Sequence, residues 1–501
     1  MIREFGLSIK FRWSGGGKKM KKRLVRGLVR AKNKKNWLSE GSDEQKTGKN
    51  GFPRPRMSRK RRKSTFGRGR RVKNDKNGEN GVSATAETEK TPQTGFPTPW
   101  MSRKLKKQAF QPLGSGKIDA STEFIITMDK KQFDDIRPYN AEEIPAAMVR
   151  IANSSSFPIL ASYVYPNEPI EEVRQRIADY KTVKEFQTET MRMVNQRVIE
   201  HSISEFTCSG LDKLSPDEHY LFVSNHRDIM LDSSLLQYFL VTRDFDTTEI
   251  TFGANLMMNQ LVIDIGKSNK MFKVERPSNN IKDFYRSSKH LSEYIRYVIT
   301  EKGQSVWIAQ RNGRTKDGND ATDQGIIKMF CMSCPEDKIK AIDQLHIVPV
   351  AVSYEWEPCD ILKTLELYES QFSKYTKKPG EDLNSILTGI IQDKGRVHFE
   401  LCDPVAYVEL AKFETLTNNE YHKSVAKLLD SRINTAYRLY PNNYIAYDLR
   451  YGTTKYQECY TQEQKTAFMN HLKRLEQYDT CDIEKLMDIF LGIYSNPVKN
   501  K

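Results

Sequence analysis

The chain has 501 residues with a net charge of +16, and 38% of the residues are hydrophobic and 29% charged. This length allows two or three domains. No apolar run reaches the ~18 residues that a membrane-spanning helix needs. The basic N-terminus lacks the apolar core of a secretory signal. Seven cysteines without regular spacing argue against a disulfide scaffold. We therefore expect an intracellular protein that does not span a membrane.

The positive charge belongs to the N-terminal quarter of the chain. Residues 1–127 contain 33 Lys and Arg against 10 Asp and Glu, a net charge of +23, whereas residues 128–501 carry a net charge of −7. Because residues 1–127 offer little apolar surface to offset the entropy of ordering, we expect a disordered basic tail. A segment at 51–60 recurs, with two changes, at 95–104. The tail either binds an anionic membrane or nucleic acid, or is dispensable for chemistry.

The segment 128–205 is predicted to form a small helical domain. Asn140 and Glu143 have the spacing of a capping box, and apolar residues then recur at helical spacing at positions 144, 147, 148 and 151. Further helices are expected from residue 168 and from Thr182. The apolar faces of these helices indicate an ordinary core.

Short apolar segments then alternate with helical ones. Strands are predicted at 221–223, 250–252, 306–308, 347–352 and 396–401, and helical stretches such as 284–299 separate most of them. This alternation predicts an α/β domain over residues 206–411, with a mixed, largely parallel sheet and flanking helices. Residues 412–501 are predicted to form a C-terminal helical region.

Residues 221–236 contain the pattern that is most informative about chemistry. His226 follows a predicted strand, and ligands of α/β sheets favour the crevice beyond the carboxyl ends of strands. A nearby carboxylate can orient a histidine and stabilise its imidazolium form, so that the histidine can remove a proton from a bound hydroxyl. Asp232 is the favoured partner and Asp228 the favoured helix cap, although Asp228 could instead be the partner. In the structural alternative, the histidine and an aspartate only cap the helix.

Three later segments add possible binding groups. Residues 270–276 alternate apolar and basic side chains. Residues 307–318 run from a strand into a turn rich in Gly and Arg, whose backbone N–H groups and guanidinium groups suit a phosphate. Residues 347–354 form an apolar strand that contains Pro349, which predicts that the strand lies at a sheet edge or ends at a site.

The order of these four segments resembles the glycerolipid acyltransferase family, specifically the glycerol-3-phosphate and 1-acylglycerol-3-phosphate acyltransferases. The resemblance covers residues 205–405. The matching residues are Asn225, His226 and Arg227 in the first segment, Phe272 and Arg276 in the second, Gly313, Arg314 and Thr315 in the third, and Val348, Pro349 and Val350 in the fourth. There are two departures. Five residues, not four, separate His226 from Asp232, and Gln310 or Arg311 stands near the place of the family's Glu.

The resemblance implies transfer of a fatty acyl group from a thioester donor, carried by acyl carrier protein or coenzyme A, to a hydroxyl of glycerol 3-phosphate or its 1-acyl derivative, in phospholipid biosynthesis. His226 would be the general base and Asp232 would orient it. Arg276 and Arg314 would bind the acceptor phosphate. The other substrate-binding candidates are Lys273, Gln310 and Gly313. No metal or other cofactor is expected, and the acyl chain implies peripheral attachment to an anionic membrane, on the inner face of the cell membrane.

Two alternatives remain at this point. The chain could be a non-enzymatic protein that binds nucleic acid or a membrane surface through its basic arm, although no nucleic-acid partner is expected, or the acceptor could be an amino-acid-containing lipid. Cys331 and Cys334 have metal-like spacing, but no second pair of ligands follows. His398 lies in an alternating strand and is interpreted as structural.

Overall fold

The computed structural model describes residues 132–276 and 280–501. The predicted basic tail at 1–127, with its repeat, lies outside these residues. Within the described part, no helix is both long enough and apolar enough to cross a membrane.

A helical region opens the described part of the chain. Its helices are α1 (Ile144–Ala152), α2 (Phe157–Val164), α3 (Ile170–Ala178), α4 (Val183–Glu185) and α5 (Arg192–Ser202), with a π-helical turn at Phe186–Met191 between the last two. Asn140 and Glu143 form the predicted capping box ahead of α1. The apolar faces of these helices pack around Ile144, Val173 and Phe186. Leu261, from a later helix, belongs to the same core and ties this region to the sheet that follows.

The described residues contain one sheet of seven strands, in the order β1-β7-β6-β2-β5-β3-β4. Only β6 and β7 pair in antiparallel fashion, so the predicted mixed, largely parallel sheet is confirmed. The strands are β1 (Ile203–Ser209), β2 (Leu221–Ser224), β3 (Glu249–Gly253), β4 (Met271–Val274), β5 (Val306–Ala309), β6 (Ile347–Tyr354) and β7 (Gly395–Leu401). Strand β1 begins at Ile203, just before the end of the segment predicted to be helical.

Helices flank the sheet and follow it. Those between strands are α6 (Leu231–Val241), α7 (Gln260–Ser268), α8 (Ile281–Thr300), α9 (Gln324–Phe330), α10 (Lys338–Asp343), α11 (Asp360–Ser370) and α12 (Glu381–Ile391). The C-terminal helices are α13 (Tyr407–Ala411), α14 (Asn418–Ala436), α15 (Pro441–Tyr451), α16 (Gln462–Leu472) and α17 (Ile483–Asn500). One apolar core lies on each face of the sheet, and the C-terminal helices form a further core with Ile361 of α11.

Pro349 lies in an interior strand, so the first of the two alternatives predicted for it, a sheet edge, is wrong, whereas the second, a strand that ends at a site, agrees with the position of Tyr354 at the end of β6. Strand β6 lies between β7 and β2. Proline lacks the N–H that a ladder would use, but the antiparallel ladder with β7 begins one residue later, at Val350 opposite Leu401. The Pro349 carbonyl still accepts a hydrogen bond from the N–H of Cys402, at 2.9 Å. The proline therefore sits at the end of one ladder, where its missing donor is tolerated.

Candidate active site

The loop between β2 and α6 is anchored to the centre of the sheet. Asn225, the first residue after β2, donates from Nδ2 to the carbonyl oxygen of Val352 at 3.0 Å, and the N–H of Val352 donates to Asn225 Oδ1 at 2.8 Å. Asn225 thus forms both hydrogen bonds that a backbone peptide would form with β6. The next residue, His226, is consequently held at the carboxyl end of β2, where the sequence places the candidate base.

His226 and Asp232 are in direct contact. His226 Nδ1 lies 2.9 Å from Asp232 Oδ2. The same oxygen accepts hydrogen bonds from the backbone N–H groups of Arg227, at 2.6 Å, and Asp228, at 2.9 Å. The loop therefore curls around this carboxylate, which compensates for the extra residue between His226 and Asp232. A continuous helix with that spacing would have separated the two side chains.

The second oxygen of Asp232 is held by a tyrosine from β6. Tyr354 donates from its hydroxyl to Asp232 Oδ1 at 2.9 Å, and both side chains are buried. Burial, together with the negative charge of Asp232, raises the pKa of Tyr354 well above its ordinary value. The hydroxyl therefore stays protonated and continues to donate to the carboxylate. The sequence analysis did not identify Tyr354 as a site residue. Its position at the carboxyl end of a predicted strand could have indicated this role.

Asp228 occupies the capping position that was favoured for it. Its Oδ1 accepts hydrogen bonds from the N–H groups of Met230 and Leu231, both at 2.9 Å. Its Oδ2 is buried without a hydrogen-bond partner and faces Gly389, where an added Cβ would lie 2.2 Å away. The structure thus places Asp232, and not Asp228, against His226.

Arg227, which lies between His226 and Asp228 in the chain, anchors the β2–α6 loop through buried ion pairs. Its guanidinium group is buried and donates to Asp320 Oδ2 from Nε at 3.1 Å and from Nη2 at 2.5 Å, and to Glu357 Oε2 from Nη1 at 3.2 Å. Lys363 donates to Glu357 at 2.6 Å and to the Arg227 carbonyl oxygen at 2.7 Å. The ring of Tyr437, just after α14, lies 4.9 Å from the guanidinium carbon. The C-terminal helical region is thereby connected to the β2–α6 loop.

The Gly- and Arg-rich turn after β5 lies directly against this loop. Thr315 donates from its N–H to the His226 carbonyl oxygen at 2.7 Å. Gly313 has a φ of +79°, a left-handed conformation that favours glycine. Arg314 is buried, and its Nη1 has no hydrogen-bond partner. A buried guanidinium N–H without an acceptor is costly, and an anionic ligand would supply one.

Arg276 follows β4 and bridges two loops. It donates from Nε to Asn255 Oδ1 at 2.6 Å and from Nη1 to Asn312. Its side chain passes close over Gly253, where an added Cβ would lie 2.7 Å from Nη2. Arg276 is thus already engaged by protein groups at Nε and Nη1, whereas Nη1 of Arg314 has no hydrogen-bond partner.

His226, Arg276, Gly313 and Arg314 line one cavity of about 760 Å³. This volume lies in the range of ligand pockets. The ring of Trp307, from β5, lies 5.9 Å from that of His226 and forms part of the same wall. Apolar side chains from the helical region and from α7, α9 and α12 form most of the remaining walls. The cavity lining therefore combines a histidine and three arginines, Arg276, Arg311 and Arg314, with many apolar side chains.

Two predicted binding residues do not lie in this cavity. Lys273 pairs with Glu275, at 2.7 Å, and lines a separate groove. Gln310 is fully buried beneath the turn, where its N–H donates to the Ser224 carbonyl oxygen at 2.7 Å. Arg311 lines the cavity. From the sequence it was considered only as a residue near the place of the family's Glu, and not as a binding residue.

The described residues contain no group of three or more His, Cys, Asp or Glu side chains arranged to hold a metal ion. Cys331 and Cys334 are free and buried. His398 bonds Thr207 and Glu400 within the sheet, at 2.9 Å and 3.1 Å.

Residues 205–353 match the family model described as Acyltransferase. A search of curated protein sequences found no match. Among solved structures, the chain is similar to the 1-acyl-sn-glycerophosphate (LPA) acyltransferase PlsC from Thermotoga maritima, with 12% identity and a TM-score of 0.29 over 57% of this chain and 92% of that one. The segment that matches the family model contains the β2–α6 loop, the turn after β5 and Val352.

Proposed function

We propose that this chain transfers a fatty acyl group from a thioester donor, acyl carrier protein or coenzyme A, to a hydroxyl of glycerol 3-phosphate or its 1-acyl derivative. The observation that carries the proposal is that His226, Arg276 and Arg314 line one cavity while His226 also contacts Asp232. The two arginines suit an acceptor phosphate, and the apolar walls suit an acyl chain.

In the proposed reaction, His226 acts as the general base. With Nδ1 donating to Asp232, Nε2 is free to accept the proton of the acceptor hydroxyl while that oxygen bonds to the thioester carbonyl carbon. The carbon–sulfur bond then breaks, and the imidazolium returns its proton to the departing sulfur, which gives an ester and a free thiol. Asp232 stabilises the imidazolium between the two steps. The reaction involves no cofactor beyond the acyl-thioester co-substrate.

The proposal extends to the location of the enzyme. A fatty acyl product belongs in a bilayer, so we propose peripheral attachment to an anionic membrane surface, on the inner face of the cell membrane. A non-enzymatic role for the basic arm rests on residues outside the described part. It does not account for a His–Asp pair and two arginines in one cavity.

The test is to incubate the purified full chain with labelled acyl-coenzyme A or acyl carrier protein and a panel of acceptors. The panel contains glycerol 3-phosphate, its 1-acyl derivative and amino-acid-containing lipids. Mass spectrometry of the products identifies the donor, the acceptor and the position acylated. Transfer to a phosphate-bearing acceptor that is lost in His226→Ala supports the proposal. Transfer only to an acceptor without phosphate, or none with any pair, contradicts it.

A further inference from the structure

The cavity is lined in part by apolar side chains that are exposed to solvent. Among the described residues, five of the large hydrophobic side chains that are exposed to solvent also line the cavity that contains His226. These residues are Tyr163, Met258, Ile281, Phe284 and Tyr285. Ile281 is 83% exposed and Tyr285 57% exposed. Apolar surface that is both exposed and continuous with an apolar cavity marks a binding surface.

The first turns of α8 concentrate this apolar surface on one face. Ile281, Phe284 and Tyr285 have the i, i+3, i+4 spacing that places side chains together on a helix, and Leu291 continues the same face into the cavity. On the flanks, Arg286 and Lys289 are exposed and pair only with acidic residues of their own helix. Such surface ion pairs contribute little, so both cations remain able to interact with an anionic surface.

The charge of the cavity lining has the opposite sign to that of the chain around it. The lining contains five Lys and Arg against three Asp and Glu, whereas residues 128–501 as a whole carry a net charge of −7. Lys328 is exposed at this lining and forms no ion pair among the described residues. A positively charged lining on an otherwise negative part of the chain is complementary to anionic lipid headgroups.

We propose that this apolar rim, defined as Tyr163, Met258, Ile281, Phe284 and Tyr285, docks on an anionic lipid bilayer, so that the cavity opens into the membrane. Apolar side chains enter the headgroup–acyl boundary while flanking cations contact phosphates. An acyl chain can then pass between the bilayer and the apolar cavity without crossing water. The inference rests on the proposed function and names the partner of the same cavity.

The test compares two matched pairs of substitutions in the full chain. The rim pair is Ile281→Asp with Tyr285→Ser. The control pair is Val408→Asp with Tyr407→Ser in α13, where the side chains are 68% and 56% exposed and lie outside the cavity. Each protein is sedimented with vesicles of equal parts phosphatidylcholine and phosphatidylglycerol. Circular dichroism and thermal melting verify that both variants are folded.

The measurement is made at 1 M salt, where charges are screened beyond about 3 Å, so that the basic tail contributes little and apolar insertion remains. The rim pair should lower the vesicle partition coefficient by about 10-fold or more, because two apolar side chains lose their burial. The control pair should behave as the unsubstituted chain does. If the rim variant and the control variant have equal vesicle partition coefficients, or if the unsubstituted chain does not bind vesicles, the docking proposal is overturned.

Two further outcomes separate this proposal from the proposed function. A chain that transfers acyl groups but binds vesicles independently of the rim contradicts docking alone. A chain that needs the rim for vesicle binding but transfers no acyl group contradicts the proposed reaction alone. If the rim pair instead loses affinity for acidic acyl carrier protein while vesicle binding is unchanged, the surface binds a protein and the bilayer proposal is overturned.

Discussion

The backbone N–H of Thr315 donates a hydrogen bond to the carbonyl oxygen of His226, at 2.7 Å. This bond ties the turn after β5 to the loop after β2, two segments that are far apart in the chain. Because Arg314 precedes Thr315, its backbone is held beside that of His226, and both side chains line the same cavity. One acceptor molecule could then place its hydroxyl at His226 and its phosphate at Arg314.

The first prediction concerns the proposed base. His226→Ala should lower the rate of acyl transfer by ~10²–10⁴-fold, the usual contribution of a general base. The measurement is the initial rate with saturating donor and acceptor. His201→Ala, at an exposed position near the end of α5, is the control and should transfer at the normal rate. Normal transfer by a folded His226→Ala protein would exclude the mechanism.

The second prediction separates two neighbouring carboxylates. Asp232→Asn removes the charge that stabilises the imidazolium and disturbs an oxygen that bonds His226 and two backbone N–H groups. We expect a loss in kcat of about 100-fold or more. Asp228→Asn keeps the oxygen that caps α6, so it should retain most of the activity. The reverse ranking in side-by-side kcat measurements would make Asp228 the functional partner.

The third prediction ranks the two arginines. Arg314→Ala should raise the acceptor KM by about 10- to 100-fold, because a hydrogen bond to a charged group contributes ~1.5–3 kcal/mol. Arg276→Ala should have a smaller effect, since Asn255 and Asn312 already engage its guanidinium group. The donor KM serves as the internal control. With an acceptor that lacks phosphate, Arg314→Ala should leave the acceptor KM unchanged. If Arg314→Ala still raises the KM of that acceptor, the role of Arg314 is structural.

The fourth prediction concerns the ion pairs beneath the loop. Arg227→Met leaves the buried carboxylates of Asp320 and Glu357 without their cation, so it should lower the free energy of unfolding by ~3–5 kcal/mol. Adding Asp320→Asn should recover part of that loss, because one uncompensated charge is removed. Denaturant titration of both single variants and the double variant measures the coupling. Strictly additive losses would show that Arg227 and Asp320 do not stabilise each other.

The fifth prediction places the start of the folded part. A protein that begins at Met128 should fold and keep its turnover on detergent-dispersed substrates, because every residue proposed for chemistry follows it. A protein that begins at Tyr139 is the control. It lacks Phe133 and Ile136, which are buried in the core on one face of the sheet, and should lose about 5 kcal/mol or more of stability. Thermal and denaturant unfolding distinguish the two, and an unfolded Met128 protein would refute the proposed boundary.

The interior of the sheet was predictable and its edges were not. The five predicted strands correspond to β2, β3, β5, β6 and β7. The two strands that the sequence analysis missed, β1 and β4, are the edges of the sheet. Most of their residues are only partly buried or exposed. An edge strand buries less apolar surface, so its hydrophobic pattern is weaker than that of an interior strand.

Local patterns in the sequence predict the class of the fold, the four segments of the candidate site and their order along the chain. Strands, turns and a histidine that follows a strand can be recognised from short stretches of sequence, because each depends on neighbouring residues. The identity of the aspartate that contacts His226 could not be predicted locally, because that contact depends on how the loop curls around the Asp232 carboxylate. The path of the chain after β4 and β5 also determines that Arg314 lines the cavity, whereas Lys273 lines a separate groove and Gln310 is buried.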